Sequence, residues 1–321
     1  MTGNRGRAYT RTMTNWQPAE VTICATCGVE FSAPVPEVCP VCADERQFVP
    51  RSGQEWARRS ELEAAGHAVT IREVEPGLHA LRVEPRLGIG QTCYLARTEQ
   101  GNLLFDVPPY LDAEAVAAVA ELGGVAAIVA SHPHMYGMQL EWSAAFDDAP
   151  VFVSRADAGW VQRRTRAGAD AGAGAGPPGD AETAEAEGPA EAGAGASPLV
   201  EYDRQIEPVP GVLVRQIGGH FSGSSIVVWR SPEDGVGVFL GGDTISPVVR
   251  SGWVTFMRSF PNYLPLSGAV VRRMADAVAD LDFDRMYGNF GQQLRTGGKA
   301  AVEESAQRYI AWVSGEFDHL T

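Results

Sequence analysis

The sequence lacks a long hydrophobic run. No window reaches the roughly 18 consecutive apolar residues that a membrane-spanning helix needs, and the N-terminus carries no apolar stretch of the kind found in secretory signal peptides. We therefore expect a soluble, cytoplasmic protein that does not have a membrane as its partner.

Basic charge is scarce as well: 26 Lys and Arg stand against 40 Asp and Glu, giving a formal net charge of −14. A nucleic-acid surface needs clustered basic charge, so this class of partner is excluded. Six of the acidic residues lie in residues 167–198, a stretch of mostly Ala, Gly, Pro and Glu. Such a composition cannot bury a core and predicts a disordered insertion in a surface loop. Residues 1–20 are predicted to form a disordered tail.

Cysteine is also rare, but four of the five cysteines form a pattern. Their spacing is C-x2-C-x11-C-x2-C, over Cys24, Cys27, Cys39 and Cys42. Paired CxxC units in a cytosolic chain indicate metal ligands more often than disulfides, and four thiolates describe a closed structural zinc site. The alternative is a redox dithiol pair. We predict a zinc ribbon over residues 21–50, available to a protein partner, followed by a linking helix over 51–66.

From His67 onward the chain alternates between strand and helix patterns. Alternating apolar runs meet at the turn dipeptide Pro76-Gly77. The stretch "DAEAVAAVAELGG" reads as a helix with Asp112 at its N-cap, and "VAAIVAS" as a buried strand. Strands resume after the insertion and two amphipathic helices close the chain. This alternation predicts one α/β layered domain over residues 67–318.

Three histidines and one aspartate are expected at the ends of strands. His132 and His134 follow the buried run "VAAIVAS" in "SHPHMYG". His220 lies just before a strand in "IGGHFSG", and Asp243 ends an apolar strand in "VFLGGD". A carboxylate in that position is costly unless it meets a cation or hydrogen-bond donors. Loops beyond strand ends are where α/β proteins build their sites, so this pattern predicts a metal centre.

The order HxH, then GHxxGS, then GD resembles the metallo-β-lactamase superfamily. The resemblance implies an αβ/βα four-layer sandwich, with two facing mixed sheets flanked by helices. It also implies that His132, His134 and His220 hold the first metal, and that Asp243 is the bridging aspartate. Asp106, in "NLLFDVPP", corresponds to the aspartate that ends an early strand. The wording "SHPHMYG", "TFMRSFPN" and "CPVCADERQ" is similar to a bacterial and plant subgroup described only as metallo-hydrolase-like.

The chain departs from this family at the second metal position. The family motif is HxHxDH followed by His, Asp and a final His, whereas Tyr136, Gly137 and Asn289 occupy three of these positions. We therefore expect a single metal, held by three histidines, with an open position for water. Asp243 is then the candidate general base. Tyr136 either donates to a developing oxyanion or fills the vacated space.

Arg258 and Asn289 are candidates for binding a substrate. Arg258 lies in the aromatic stretch "WVTFMRSFPNYLPL", which either lines a pocket or packs in the core.

Three functions are compatible with these residues. The first is a zinc-dependent hydrolase of a small-molecule ester, thioester or lactone. The second is a catalytically degraded member of the fold, with a structural or sensing metal and a partner-binding ribbon. The third is an iron-dependent oxidoreductase, since three histidines with an open position also suit iron.

Overall fold

The computed structural model describes residue 16, residues 18–166 and residues 197–321. The predicted tail and the predicted low-complexity insertion lie almost wholly outside these described residues. Within them, no helix has the length and apolar character needed to cross a membrane.

A small N-terminal sheet, here called the cysteine module (residues 18–58), precedes the main domain. Its strands are β1 (Thr22–Cys24), β2 (Glu30–Phe31) and β3 (Trp56–Arg58), and its helix is α1 (Pro40–Ala43). The predicted linking helix over 51–66 is wrong in its first half, because residues 56–58 form β3 and only α2 (Arg59–Ala64) is helical. The Trp56 ring packs edge-on against Phe31, with centroids 4.8 Å apart, and this packing outweighs the helical pattern.

The first large sheet has seven strands in the order β10-β9-β8-β7-β6-β5-β4. Its three antiparallel pairings join β4 to β7, and three parallel pairings join β7 to β10. The strands are β4 (Ala68–Glu75), β5 (Leu78–Glu84), β6 (Cys93–Ala96), β7 (Leu103–Phe105), β8 (Ala127–Val129), β9 (Val151–Ser154) and β10 (Leu199–Tyr202). Helix α3 (Ala113–Glu121) follows β7 in the chain, and helix α4 (Gln139–Ala145) follows β8. Asp112 caps α3 as predicted.

The second large sheet has six strands in the order β11-β12-β13-β14-β19-β20. They are β11 (Gln205–Val209), β12 (Val212–Gln216), β13 (Ser225–Arg230), β14 (Gly237–Leu240), β19 (Arg285–Tyr287) and β20 (Gln293–Leu294). Two small hairpins lie between β14 and β19 in the chain: β15 (Ser246–Pro247) with β16 (Val254–Thr255), and β17 (Met257–Ser259) with β18 (Leu264–Pro265). Helices α5 (Gly268–Asp276) and α6 (Gly298–Val313) complete the domain.

Three apolar cores stack these elements into four layers. The middle core lies between the sheets and contains Phe105 from the first and Val227 from the second. Neighbouring residues point the other way: Leu104 joins the core under α3 and α4, and Val228 joins the core under α5 and α6. The predicted αβ/βα four-layer sandwich is therefore confirmed. The cysteine module shares the core that lies under α3 and α4.

Candidate metal centre

The four cysteines of the module converge on one point. The Sγ atoms of Cys24 and Cys42 are 3.5 Å apart, those of Cys27 and Cys39 are 3.7 Å apart, and all four ligand atoms lie within 4.8 Å of one another. All are buried and none forms a disulfide. Hydrogen bonds from the neighbouring thiols lower the pKa of Cys24, whereas burial raises the pKa of Cys27. A closed thiolate set of this kind fits a tetrahedral metal ion.

The module is docked tightly on the main domain. Gly28 has a positive φ of 88°, and a Cβ there would meet the Cβ of Pro109 at 2.5 Å. Glu30 is 2 % exposed, and its carboxylate pairs with Arg163 at 2.6 Å, which in turn pairs with Glu141 at 2.9 Å. A buried ion pair broken on one side leaves an uncompensated charge, so these contacts fix the module in one position.

Strand ends bring together a second set of candidate metal ligands. A single 3-10 turn (Pro133–Met135) follows β8, a turn joins β12 to β13, and a tight loop follows β14. These segments bring together the ligand atoms of four buried residues, all within 4.8 Å of one another: His132, His134, His220 and Asp243.

The hydrogen bonds of His132 and His220 are made by their Nδ1 atoms and leave Nε2 free. His220 Nδ1 lies 3.2 Å from the carbonyl oxygen of Met257, which can only accept, so this nitrogen carries the proton. His132 Nδ1 lies 2.9 Å from Ser131 Oγ. The Nε2 atoms of His132, His134 and His220 are buried and have no hydrogen-bond partner among the described residues. Such second bonds orient an imidazole so that its other nitrogen can ligate a metal.

Burial sets the charge of the cluster. It lowers the pKa of His132 and of His134 well below the ordinary value, helped by the neighbouring His220, and it lowers the pKa of His220 to about 4. The imidazoles are therefore neutral ligands at pH 7. Burial, together with the charge of Asp106, raises the pKa of Asp243 to about 7. Three unpartnered imidazole nitrogens beside an uncompensated carboxylate fit a divalent metal.

Asn289 is built into the wall behind this cluster. Its side chain is fully buried and its Nδ2 donates to Asp106 Oδ2, while Asp106 Oδ1 accepts from the backbone N–H of Ser131 at 2.7 Å. Asp106 has a φ of 59°, which places its carboxylate under the His132 segment. Asn289 thus braces the aspartate that positions the first histidines. Its Oδ1 is buried without a partner.

Gly137 leaves no room for a ligand. Its φ is 53°, and a Cβ would overlap the carbonyl oxygen of Val107. Its own carbonyl accepts the backbone N–H of Glu30, from the cysteine module, at 3.1 Å. Where the metallo-β-lactamase motif has a histidine, this chain therefore has a glycine whose backbone lies close to Val107 and accepts a hydrogen bond from the cysteine module.

Tyr136 is 1 % exposed, and its hydroxyl donates to the backbone carbonyl of Asp157 at 2.9 Å. Burial raises its pKa well above the ordinary value. This geometry favours the space-filling interpretation over the donor role.

Arg258 makes an ion pair with Glu45 of the cysteine module at 3.2 Å. The same segment makes two further hydrogen bonds to the module, in which Ser259 Oγ and Asn262 Nδ2 donate to the Glu45 carbonyl at 2.9 and 2.6 Å. Phe256, nearby, is fully buried. This stretch is therefore largely core and inter-module contact.

A contact that the sequence did not reveal links the cysteine module to the histidines. Arg46 is held by Asp44 at 2.5 and 2.6 Å, and its Nη1 donates to the His220 carbonyl at 3.0 Å. Its guanidinium lies 3.4 Å from the centroid of the Phe221 ring. That ring contacts all three imidazoles, with centroid distances between 4.9 and 5.6 Å. The residues "DER" after the last cysteine carry no motif, so only the fold discloses this contact.

Comparison with known proteins places the chain in a family. It is 32% identical over 302 residues to the uncharacterized protein YmaE of Bacillus subtilis (strain 168), covering 92% of this chain and 98% of YmaE. The chain belongs to the YmaE family. No protein-family model matches it.

Solved metallo-β-lactamases are more distantly similar. DIM-1 metallo-β-lactamase is 9% identical over 75% of this chain and 97% of its own, with a TM-score of 0.49. A B3 metallo-β-lactamase with an active-site glutamic acid is 15% identical over 85% of this chain and 98% of its own, with a TM-score of 0.47. The two large sheets and three apolar cores of this YmaE relative form the αβ/βα four-layer sandwich that the sequence predicts.

Removing the hydroxyl of Tyr136 tests the two roles weighed for it. We expect Tyr136→Phe to keep kcat/KM for a hydrolysed ester within about fivefold of the wild type, since the hydroxyl serves a backbone carbonyl. The free energy of unfolding should fall by about 1 kcal/mol, the value of one hydrogen bond. Tyr202→Phe, which removes another buried hydroxyl, is the matched control. A loss of turnover confined to Tyr136→Phe would restore the donor role.

Proposed function

We propose that this protein is a mononuclear, zinc-dependent hydrolase of a small ester, thioester or lactone-like substrate. The proposal includes a structural zinc in the cysteine module. A cytoplasmic location and a protein partner for the module stay predictions from the sequence.

One observation supports this proposal above the others. Three buried imidazole Nε2 atoms without hydrogen-bond partners converge beside a carboxylate. Two of the four residues, His134 and Asp243, also line an open cavity of about 660 Å³. A closed structural site would have no such access, whereas a catalytic site keeps a position open to substrate and water. The groups at Tyr136, Gly137 and Asn289 supply no second metal position.

The chain's own residues account for the remaining steps. A zinc ion in this place supplies, when bound, a Lewis acid that polarises a carbonyl oxygen and acidifies water. Asp243 borders both the cavity and His132, whose Nε2 lies 3.7 Å from its Oδ2. Its carboxylate accepts the proton of the attacking water and returns it to the leaving group. Ser131 and Met257 fix the planes of two imidazoles through their Nδ1 atoms.

Metal content and turnover of full-length variants test the proposal. We expect the wild type to hold two zinc ions per chain, and His134→Ala to hold one and to lose about 100-fold or more in ester hydrolysis. His319→Ala, an exposed histidine far from the cluster in sequence, should retain both properties. Elemental analysis also identifies the metal.

Each alternative gives a different result. Iron in the His site together with dioxygen uptake would indicate the oxidoreductase. A metal-loaded wild type that hydrolyses none of the ester, thioester and lactone classes would indicate the degraded member of the fold. Unchanged turnover in His134→Ala would contradict the proposed site.

A further inference from the structure

The cavity above the histidines is built jointly by the two parts of the chain. The cysteine module contributes residues 46–48 to its wall, and the end of β5 with the segment that follows it contributes residues 82–86. His134 and Asp243 lie at one side of the same cavity. A substrate bound there therefore meets the metal centre, the module and the β5–β6 connection together.

Two arginines of this wall have no acidic partner among the described residues. Arg82 and Arg86 are exposed, and neither makes an ion pair within the described part of the chain. Arg82 Nε donates to Thr92 Oγ1 at 2.7 Å, and Arg86 Nη2 donates to the Ile89 carbonyl at 2.8 Å. These bonds hold each guanidinium against the wall and leave most of its five N–H groups for a ligand.

A buried amide of the cysteine module adds a further donor. Gln47 is 6 % exposed and lines the cavity, and its Nε2 has no hydrogen-bond partner in the part of the chain that the structure describes. An unmet buried donor costs free energy until an acceptor reaches it. The neighbouring Arg46 is already neutralised by Asp44, so the uncommitted positive charge on this wall belongs to Arg82 and Arg86. The carboxylates that line the cavity are Glu84 and Asp243.

We propose that this cavity takes a substrate that carries an anionic oxygen group, a carboxylate or a phosphate, apart from the bond that is cleaved. The Gln47 amide and the guanidinium groups of Arg82 and Arg86 bind that group. Planar guanidinium forks match the paired oxygens of both anions. This inference rests on the proposed hydrolase function, and it names the substrate class of that site.

Two esters of the same length test the preference for an anion. Phenyl 4-carboxybutanoate carries a carboxylate, and phenyl 4-carbamoylbutanoate carries a neutral amide in its place. We expect kcat/KM of the wild type to favour the anionic ester by about tenfold or more, as a charge-assisted hydrogen bond would give. In the double variant Arg82→Gln, Arg86→Gln the ratio should fall to about one. Arg230→Gln, outside the cavity, is the matched control. Equal rates for the two esters in the wild type would overturn the inference.

A binding measurement separates this inference from the proposed function. Glutarate and inorganic phosphate are titrated into the full-length wild type and into the double arginine variant by calorimetry. Binding that weakens about tenfold or more in the variant supports the subsite even if no ester is hydrolysed, in which case only the hydrolase proposal fails. The titration also ranks carboxylate against phosphate. Equal binding to both proteins means that the anion sits elsewhere, and it contradicts the subsite.

Discussion

Replacing Cys39 with serine is expected to remove the metal from the cysteine module and to lower the free energy of unfolding by about 5 kcal/mol or more, because a structural zinc site carries folding energy directly. The Sγ atom of Cys39 is fully buried, 3.7 Å from that of Cys27. The module shares an apolar core with the first large sheet. Unfolding of the module therefore exposes apolar surface of the first large sheet.

The same substitution should weaken the histidine site. Arg46 lies shortly after the last cysteine of the module, donates to the His220 carbonyl and covers the ring of Phe221. Removal of groups that orient metal ligands typically costs about 10- to 100-fold in metal affinity. We expect the affinity of the His site for zinc to fall by about tenfold or more in Cys39→Ser.

Elemental analysis and urea unfolding of the full-length protein check the first expectation, and a zinc titration of the same protein checks the second. Cys93→Ser is the matched control, since Cys93 is equally buried but belongs to β6 and to neither ligand set. The control should lose no metal. A Cys39→Ser protein with two bound metals and wild-type stability would show that the four thiols are not a metal site.

Replacing Gly137 with histidine, the residue that the metallo-β-lactamase motif has there, is expected to destabilise the protein rather than create a second metal site. A Cβ at Gly137 would overlap the carbonyl of Val107, and the backbone there has a φ of 53°. Positive φ and overpacking each cost about 1 to 3 kcal/mol. The turn also receives the backbone N–H of Glu30. We expect both Gly137→Ala and Gly137→His to lose about 3 kcal/mol or more of stability.

Gly211→Ala separates the two costs. Gly211 also has a positive φ, 84°, but a Cβ there would meet nothing within 4 Å. This control should lose about 1 kcal/mol, the cost of the backbone conformation alone. Thermal unfolding and metal titration of the three variants give the comparison. A stable Gly137→His protein that binds an additional zinc ion would contradict our account of this turn.

Local pattern predicts the features that depend on neighbours in the chain. Three features can be recognised from the local sequence alone, because each has a characteristic periodicity or residue preference. They are the buried run before Ser131, the N-cap at Asp112 and the turn at Pro76-Gly77. The same reasoning is wrong at β3, because the Trp56 segment has a helical pattern and becomes a strand only against β1. The edge strands β10 and β11 follow the low-complexity segment, and the sequence pattern does not predict them either.

The ligand set could be predicted for a related reason. His132 follows β8 of the first sheet, whereas His220 and Asp243 adjoin β13 and β14 of the second, so strand ends from both sheets meet at the site. The cavity wall could not be predicted in this way. Arg46 and Gln47 reach the site only because a separate module docks there, and Arg82 and Arg86 lie in a stretch with no motif. Their positions depend on contacts between residues far apart in the chain.

The two ligand sets also differ in how they meet solvent. The cysteine set is closed by its own four thiols, whereas the histidine set borders an open cavity through His134 and Asp243. An ion can therefore leave the second set without the fold opening, but not the first. If both sets hold zinc as proposed, a shortage of zinc should abolish activity before it unfolds the protein, and activity should return with the metal. With the proposed function, activity would follow zinc availability, whereas the stability of the fold would follow the metal held by the thiols.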